Sequence, residues 1–410
     1  MNINDKTQIR ECTSCQMCGA VCPVNAISID ENKNGFYRPY IDSNKCIDCS
    51  LCVKSCYKFD NNILLTQNFE KKTLFSAWTN DSQVLKETTS GGIADTLVTQ
   101  LLKEGYKCIG IIYDDNLNRA VGKIASTRDQ SIGFRGSKYI QAYTLDSFKE
   151  LVKTHKTDKY AIFGLPCQIY AINKFLSFRK DRDRHILIDL YCHGCPSIHL
   201  WDKSREYILK KANAQNVYLP IFRSKAKGWG KFIVEATIEK GRRRRKYVSS
   251  TDNSPFYTLF FSDTVLNDSC NDCMLRNTLE YTDIRLGDFW GYKFLKNQKG
   301  VSAVTCCTKR GDQLMESIRT QIECQPQIFE SFIPYQSYGK TYKVNQDIRH
   351  KLLAQLADPD INIETSIRTY KKYLGMKRCL VDNIKSIIKL LPDPLVASCK
   401  NLYYSVKYRR

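Results

Sequence analysis

Two runs of four cysteines near the start of the chain constrain its fold more than any other feature. The first reads Cys12-Thr-Ser-Cys15-Gln-Met-Cys18-Gly-Ala-Val-Cys22-Pro23 and the second Cys46-Ile-Asp-Cys49-Ser-Leu-Cys52-Val-Lys-Ser-Cys56-Tyr57. A tight loop with a cysteine at every third position wraps three thiolates around one face of an iron–sulfur cubane. The fourth cysteine, after a wider gap, points away and reaches a second cubane. The spacing therefore assigns Cys12, Cys15, Cys18 and Cys56 to one [4Fe–4S] cluster, and Cys46, Cys49, Cys52 and Cys22 to another. Zinc knuckles would instead show paired CxxC units separated by a finger. The second run lacks the trailing proline of the first, and that proline shapes a loop without being a ligand.

Residues 1–65 are accordingly expected to form a bacterial-type two-cluster ferredoxin domain, with a short strand after Cys22. The opening MNINDKTQIREC lacks the apolar core of a signal peptide, so a cytoplasmic location with reduced thiols is expected. Nineteen cysteines in that setting read as metal or redox chemistry rather than as a disulfide scaffold. A composition of 42% hydrophobic and 26% charged residues excludes wholesale disorder, and no apolar run approaches the ~18 residues of a membrane span. The net charge of +21 calls for acidic partners: nucleic acid, anionic lipid or phosphorylated cofactors. Each cluster removes ~2 of those charges. No aromatic-plus-basic repeat of a nucleic-acid module is present, so no nucleic-acid partner is expected.

From about residue 75 the pattern becomes strand, loop, helix in repetition. Apolar residues at 93, 94, 97, 98, 101 and 102 share one helical face; strands are expected at 108–113, 160–163 and 185–190, with helices over 168–176 and 198–211. This predicts an open α/β sheet whose ligand site lies beyond the carboxyl ends of its strands, where Cys167, Cys192 and His193 fall. Residues 216–250 read as a β-rich insertion, with Gly241 and four arginines at a solvated hairpin tip. Gly91 and Gly92 at a helix start offer free N–H groups as an anion cradle, without the pattern of a Rossmann or Walker loop. Among the later cysteines, Cys167, Cys192, Cys270 and Cys273 stand in Gly-, Pro- or polar-rich loops. Together they could form a four-thiolate site, for which iron–sulfur and zinc are both chemically admissible.

Six motifs in order then carry a resemblance: Thr88-Thr-Ser90-Gly91-Gly92, Gly136-Ser137-Lys138-Tyr139, Gly164-Leu-Pro166-Cys167-Gln168, Asp189-Leu-Tyr-Cys192-His193-Gly194, Cys270-Asn-Asp-Cys273 and Asp283-Ile-Arg-Leu-Gly287-Asp288-Phe-Trp290-Gly291. The set resembles the family of coenzyme F420 hydrogenase/dehydrogenase β subunits, over about residues 8–330. The resemblance implies an iron–sulfur flavoprotein oxidoreductase: a ferredoxin domain, then an α/β domain over 75–330 with one FAD and a third [4Fe–4S] cluster on Cys167, Cys192, Cys270 and Cys273. Cys195 is extra to the motif. Ser90, Gly91, Gly92, Lys138 and Tyr139 match the flavin loops. A lysine beside the flavin would stabilise its anionic reduced form. His193 reads either as a proton donor or as a support for the Cys192 loop, and Asp288 as structural.

The implied activity passes electrons between the clusters and FAD, with hydride transfer to or from an F420-like or other organic substrate. The implied partners are a ferredoxin or other redox protein and a small hydride donor or acceptor. Family members in bacteria lacking this coenzyme often accompany surface-polysaccharide genes, which makes a reductive step there an alternative, as is a non-catalytic electron-transfer subunit. Residues 335–410 lie outside the resemblance and read as a basic helical tail: from Thr365 onward, eleven Lys and Arg stand against two Asp. Leu380, Ile384, Ile387, Ile388 and Leu391 mark an apolar helical face, expected to dock on the catalytic domain. The alternative is peripheral contact with the inner face of an anionic membrane.

Overall fold

The computed structural model describes residues 2–3, 12–60, 63, 69–249, 254–375, 395 and 398–399. Near the N-terminus, β1 (Ile27–Glu31) and β2 (Tyr37–Ile41) form an antiparallel hairpin, flanked by the one-turn helices Met17–Ala20 and Leu51–Ser55. Ile27 and Ile29 alternate with exposed Ser28, so one face of the hairpin is buried. That face shares an apolar core with Leu145, Phe148, Ile169 and Phe175 of the following region. The Gln16 side chain seals the joint: its Oε1 accepts from the N–H groups of Thr144 and Leu145 at 2.7 and 3.0 Å, and its Nε2 donates to Ala142 O at 2.8 Å.

Six strands follow: β3 (Thr73–Thr79), β4 (Lys107–Asp114), β5 (Arg119–Ala125), β6 (Ala142–Tyr143), β7 (Tyr160–Phe163) and β8 (Ile186–Leu190). Residues 216–248 then make a separate antiparallel sheet of β9 (Asn216–Ile221), β10 (Glu235–Lys240) and β11 (Arg243–Val248). The chain returns with β12 (Ile284–Asp288), β13 (Ser302–Cys306) and β14 (Ile322–Gln327), completing a nine-stranded sheet in the order β14-β3-β13-β12-β8-β7-β4-β5-β6. Its centre, β4, β7, β8 and β12, is parallel, and both flanks bring antiparallel neighbours. Helices Ile93–Lys103, Pro166–Phe178 and Ile198–Ala212 contain the three helical stretches expected from the sequence. Covered on both sides, β7 and β8 are almost wholly buried, which is why they read as unbroken apolar runs.

The expected hairpin over 216–250 forms, but only one of the four arginines is at its tip. Gly241, at φ 58°, and Arg242 make the two-residue turn, and Arg243, Arg244 and Arg245 lie on the edge strand β11 opposite Lys240, Glu239 and Ile238. Helix Gln346–Ala357 buries Ile348, Leu352, Leu353 and Leu356 in a cluster with Trp201, Ile208 and Phe256, so this part of the C-terminal region packs on the α/β domain. The basic amphipathic face from Leu380 to Leu391 lies outside the described residues. No helix among the described residues is long and apolar enough to cross a membrane.

Candidate metal centre

In both cysteine runs, the residues two and four beyond the first cysteine adopt left-handed backbone: Ser14 and Gln16 at φ 62° and 66°, Asp48 and Ser50 at 48° and 63°. Such geometry costs ~1–2 kcal/mol per residue and curls successive N–H groups toward an anion. One cavity is lined by Cys12, Cys15, Cys18 and Cys56, with Met17, Tyr37 and Lys58. Another is lined by Cys22, Cys46, Cys49 and Cys52, with Val24, Ala26 and Ile47. Each cavity receives three cysteines from one run and one from the other. Burial, then the charge of Cys12, pushes the Cys15 thiol up to about 11; burial, then Cys15, raises Cys56 to about 12. Thiols so crowded become thiolates only beside a compensating cation, which an iron–sulfur core supplies.

The third group assembles from three separated segments. Cys167 opens helix Pro166–Phe178 just after β7, where the helix dipole favours a thiolate. Cys192 follows β8, the parallel neighbour of β7, so both lie beyond the carboxyl ends of adjacent strands. Cys270 and Cys273 come from the short helix Asp268–Asn271 and the turn after it. Burial and then the charges of Cys15, Cys192, Cys273 and Cys270 push Cys167 well above its ordinary range. Those four neighbours put Cys167 among the other three cysteines and beside the inner cavity of the N-terminal unit. Hydrogen bonds staple the two: Ser269 Oγ donates to Cys12 O at 3.2 Å, and Asn267 Nδ2 to Ser14 Oγ at 3.1 Å.

Arg276 completes this group and carries no sequence motif of its own. It is 3% exposed, and its guanidinium donates to His193 O at 2.6 Å, Lys340 O at 2.7 Å and Cys270 O. Among the described residues its bonded partners are all carbonyls, so a buried cation faces the cysteines and lowers Cys192 and Cys270 against the burial that raises them. A buried arginine without a carboxylate fits a dianionic tetrathiolate centre. Cys195, unassigned by the sequence, donates its N–H to Cys270 Sγ at 3.4 Å. Residues 336–342 wrap the same centre: Ser337 Oγ donates to Cys192 O at 2.9 Å.

His193 is held at both ring nitrogens, Nε2 2.8 Å from Asp263 Oδ1 and Nδ1 3.0 Å from Tyr342 Oη. The ring is positioned within the loop that carries Cys192.

The residues that the resemblance matched to flavin loops also converge. Ser137 N–H donates to Thr89 Oγ1 at 2.8 Å, joining segments 88–92 and 136–139, and Arg223 donates to Tyr139 Oη and to Asp288 Oδ2, each at 3.1 Å. Asp288 also accepts from Trp229 Nε1 at 2.8 Å, in keeping with a structural role. Gly91 corrects the free-amide cradle: its N–H donates to Ser302 Oγ at 3.0 Å, and Ser90 Oγ donates to Val301 O. The cations fit an anion better than the amides do. Half-buried Lys138 donates to the carbonyls of Gly133 and Arg135, and Lys225 to those of Leu85 and Ser90. Burial pushes the two ammoniums down to about 7 and about 8. Phosphate oxygens beside them would restore full protonation.

Fold and cysteine groups together define an iron–sulfur protein, a dicluster unit stapled to a mixed α/β domain. Residues 11–58 match the family model "4Fe-4S dicluster domain", and residues 157–328 match the model for the C terminus of the coenzyme F420 hydrogenase/dehydrogenase beta subunit. Residues 157–328 thus carry a domain of that β-subunit family, with the dicluster domain on its N-terminal side. It is 28% identical to the β subunit of coenzyme F420 hydrogenase from Methanococcus voltae over 129 residues, 30% of this chain and 45% of that one. The F subunit of the F(420)H(2) dehydrogenase of Methanosarcina mazei is 27% identical over 173 residues, 39% of this chain and 47% of the relative. The chain thus spans about half the length of the curated relatives it matches. A chain from the F420-reducing [NiFe] hydrogenase complex of Methanosarcina barkeri superposes with a TM-score of 0.44 at 20% identity, over 74% of this chain and 94% of that one.

Proposed function

We propose that the chain is an iron–sulfur flavoprotein oxidoreductase subunit that connects a one-electron donor or acceptor to a two-electron organic substrate, an F420-like deazaflavin being the first candidate. The observation that carries the reading is the grouping of twelve cysteines into three sets of four, with Cys15 beside Cys167. When bound, [4Fe–4S] clusters and FAD supply one-electron transfer and its conversion to hydride-level chemistry. Cys22, Cys46, Cys49 and Cys52 would hold an outer cluster. Cys12, Cys15, Cys18 and Cys56 would hold an inner one, and Cys167, Cys192, Cys270 and Cys273 a third, with Arg276 balancing its charge. Lys138 and Lys225 would bind the anionic part of the flavin, and the 88–92 and 136–139 loops would flank it. A redox partner protein would meet the outer cluster, where Cys49 and Ile47 are exposed.

Anaerobic purification with iron, sulfide and flavin counting tests the reading: ~12 irons and ~1 FAD per chain are expected. About 8 irons with ~1 zinc would remove the third cluster. Loss of flavin absorbance on mixing with reduced F420, but not with nicotinamides, would identify the substrate class. A second reading, a non-catalytic electron-transfer subunit, is favoured by His193, whose ring nitrogens are both engaged. Turnover of a hydride acceptor by the isolated chain excludes it.

A further inference from the structure

The second cysteine run breaks the pattern of the first at one position, with Tyr57 after Cys56 where Pro23 follows Cys22. Tyr57 opens the turn Tyr57–Phe59 and is 2% exposed. Its ring lies edge-on to Tyr170 of helix Pro166–Phe178, centroids 6.2 Å apart, in the apolar core that Cys167 and Cys273 border. The Tyr57 hydroxyl is buried and has no hydrogen-bond partner among the described residues. An unsatisfied buried hydroxyl is destabilising, a cost that phenylalanine would avoid while filling the same space. The neighbouring Tyr170 shows the usual solution: its hydroxyl donates to Asp60 Oδ2 at 2.8 Å.

Burial, then the charges of Cys273, Cys167, Cys270 and Cys56 in that order, hold the Tyr57 phenol far above its ordinary range. The hydroxyl thus lies in the same core as the cysteines that surround it. Three of those four cysteines belong to the third group, and the fourth is the residue before Tyr57.

We propose that the Tyr57 hydroxyl donates a hydrogen bond to a sulfur of the cluster on Cys167, Cys192, Cys270 and Cys273, raising the potential of that cluster relative to the inner one. This rests on the proposed third cluster. A donor to sulfur stabilises the reduced, more negative core and so moves the potential in the positive direction. Because Tyr57 is covalently next to a ligand of the inner cluster, the bond also ties the two centres at a fixed separation. Tyr57 is a positioning residue, acting through the cluster it touches.

Tyr57→Phe in the full chain, reconstituted anaerobically, tests this by redox titration followed by electron paramagnetic resonance. Signals are assigned beforehand by their loss in Cys273→Ala and in Cys15→Ala. The expected result is unchanged iron content, a negative shift of the Cys273-dependent midpoint, and an unmoved Cys15-dependent midpoint. Tyr170→Phe, which removes a hydroxyl bonded elsewhere, should move neither. An unshifted Cys273-dependent midpoint in iron-replete Tyr57→Phe overturns the proposal, as does a shift confined to the Cys15-dependent signal. If Tyr57→Phe loses iron, Tyr57→Leu is titrated in its place under the same criteria. If Cys273→Ala removes no signal at all, it is the third cluster that fails, and the two failures are thereby told apart.

Discussion

At Gly91 the backbone of two strands meets the loop. A Cβ there would lie 2.2 Å from Ala77 O and 2.8 Å from Ser302 N, and these two residues face each other across β3 and β13. Neither backbone can retreat without opening the sheet. Gly91→Ala should therefore destabilise the chain by about 3 kcal/mol, read as a lower midpoint in urea. Gly92→Ala should cost about 1–2 kcal/mol, because its φ of 82° disfavours a side chain. A Gly91→Ala protein of full stability that had lost only its flavin would show that the glycine serves a ligand and not the strands. The glycine pair was legible in the sequence as a special backbone; its cause was not. The residues that demand it lie on β3 and, more than two hundred positions away, on β13, and no local pattern encodes such a contact. Arg276 and Tyr342 were missed for the same reason, since each acquires its meaning from a cysteine loop or a histidine brought to it by the fold.

Where helix Leu145–Thr154, β7 and β8 come together, three titratable side chains meet. His155 Nδ1 and His185 Nε2 lie 2.7 and 3.2 Å from Asp181 Oδ2, and His185 Nδ1 accepts the Tyr160 N–H at 3.1 Å. Accepting at Nδ1 places the one ring proton of His185 on Nε2, which suits donation to Asp181 and leaves no lone pair there for a metal. Burial holds His185 below its ordinary value of 6.5, outweighing the attraction of Asp181. A proton therefore binds the unfolded chain more readily than the folded one, and stability falls as pH drops below about 6.5. Asp181 is also depressed: burial opposes this, and the hydrogen bonds of His155 and His185 prevail. Its contribution is lost in turn only below its ordinary 3.8, as pH falls toward the lowered value. Between pH 7 and about 5.5 the wild-type melting temperature should decline, and His185→Asn, which keeps an acceptor for Tyr160 without a titrating ring, should decline less. Equal slopes would remove His185 as the cause. The strands at this joint were legible because burial on both faces leaves unbroken apolar runs. The arginine run on β11 was misread as a tip because a two-residue turn needs only Gly241 and Arg242, and the remaining arginines then fall on a solvent-facing edge, where charge discourages pairing with another chain.

Across the whole molecule the three cysteine groups form a sequence of neighbours. Cys52 of the outer group acts on Cys18 of the inner one, and Cys15 of the inner group is foremost among the charges acting on Cys167. The membership of the first two groups could be read from spacing alone, because a cysteine loop is a local object. Their order relative to the third could not, since it depends on how Gln16 and Ser14 dock onto residues 142–145 and 267. The groups also differ in access. Cys49 and Ile47 stand exposed beside the outer cavity, Ile47 at 61%, whereas burial raises the thiols of Cys167, Cys192 and Cys270. Oxidative loss should therefore proceed from the outside inward. With a ferrous chelator after brief exposure to air, ~4 of ~12 irons should leave in a first phase, and the remainder much more slowly. The signal abolished by Cys49→Ala should vanish in that first phase, while the signals abolished by Cys15→Ala and Cys273→Ala persist. Cys22→Ala should already lack the fast phase, because Cys22 lines the outer cavity despite belonging to the first run. Release of the Cys15-dependent iron in the first phase, or a fast phase undiminished in Cys22→Ala, would mean that the runs do not exchange their fourth cysteines and that electrons enter at a different centre.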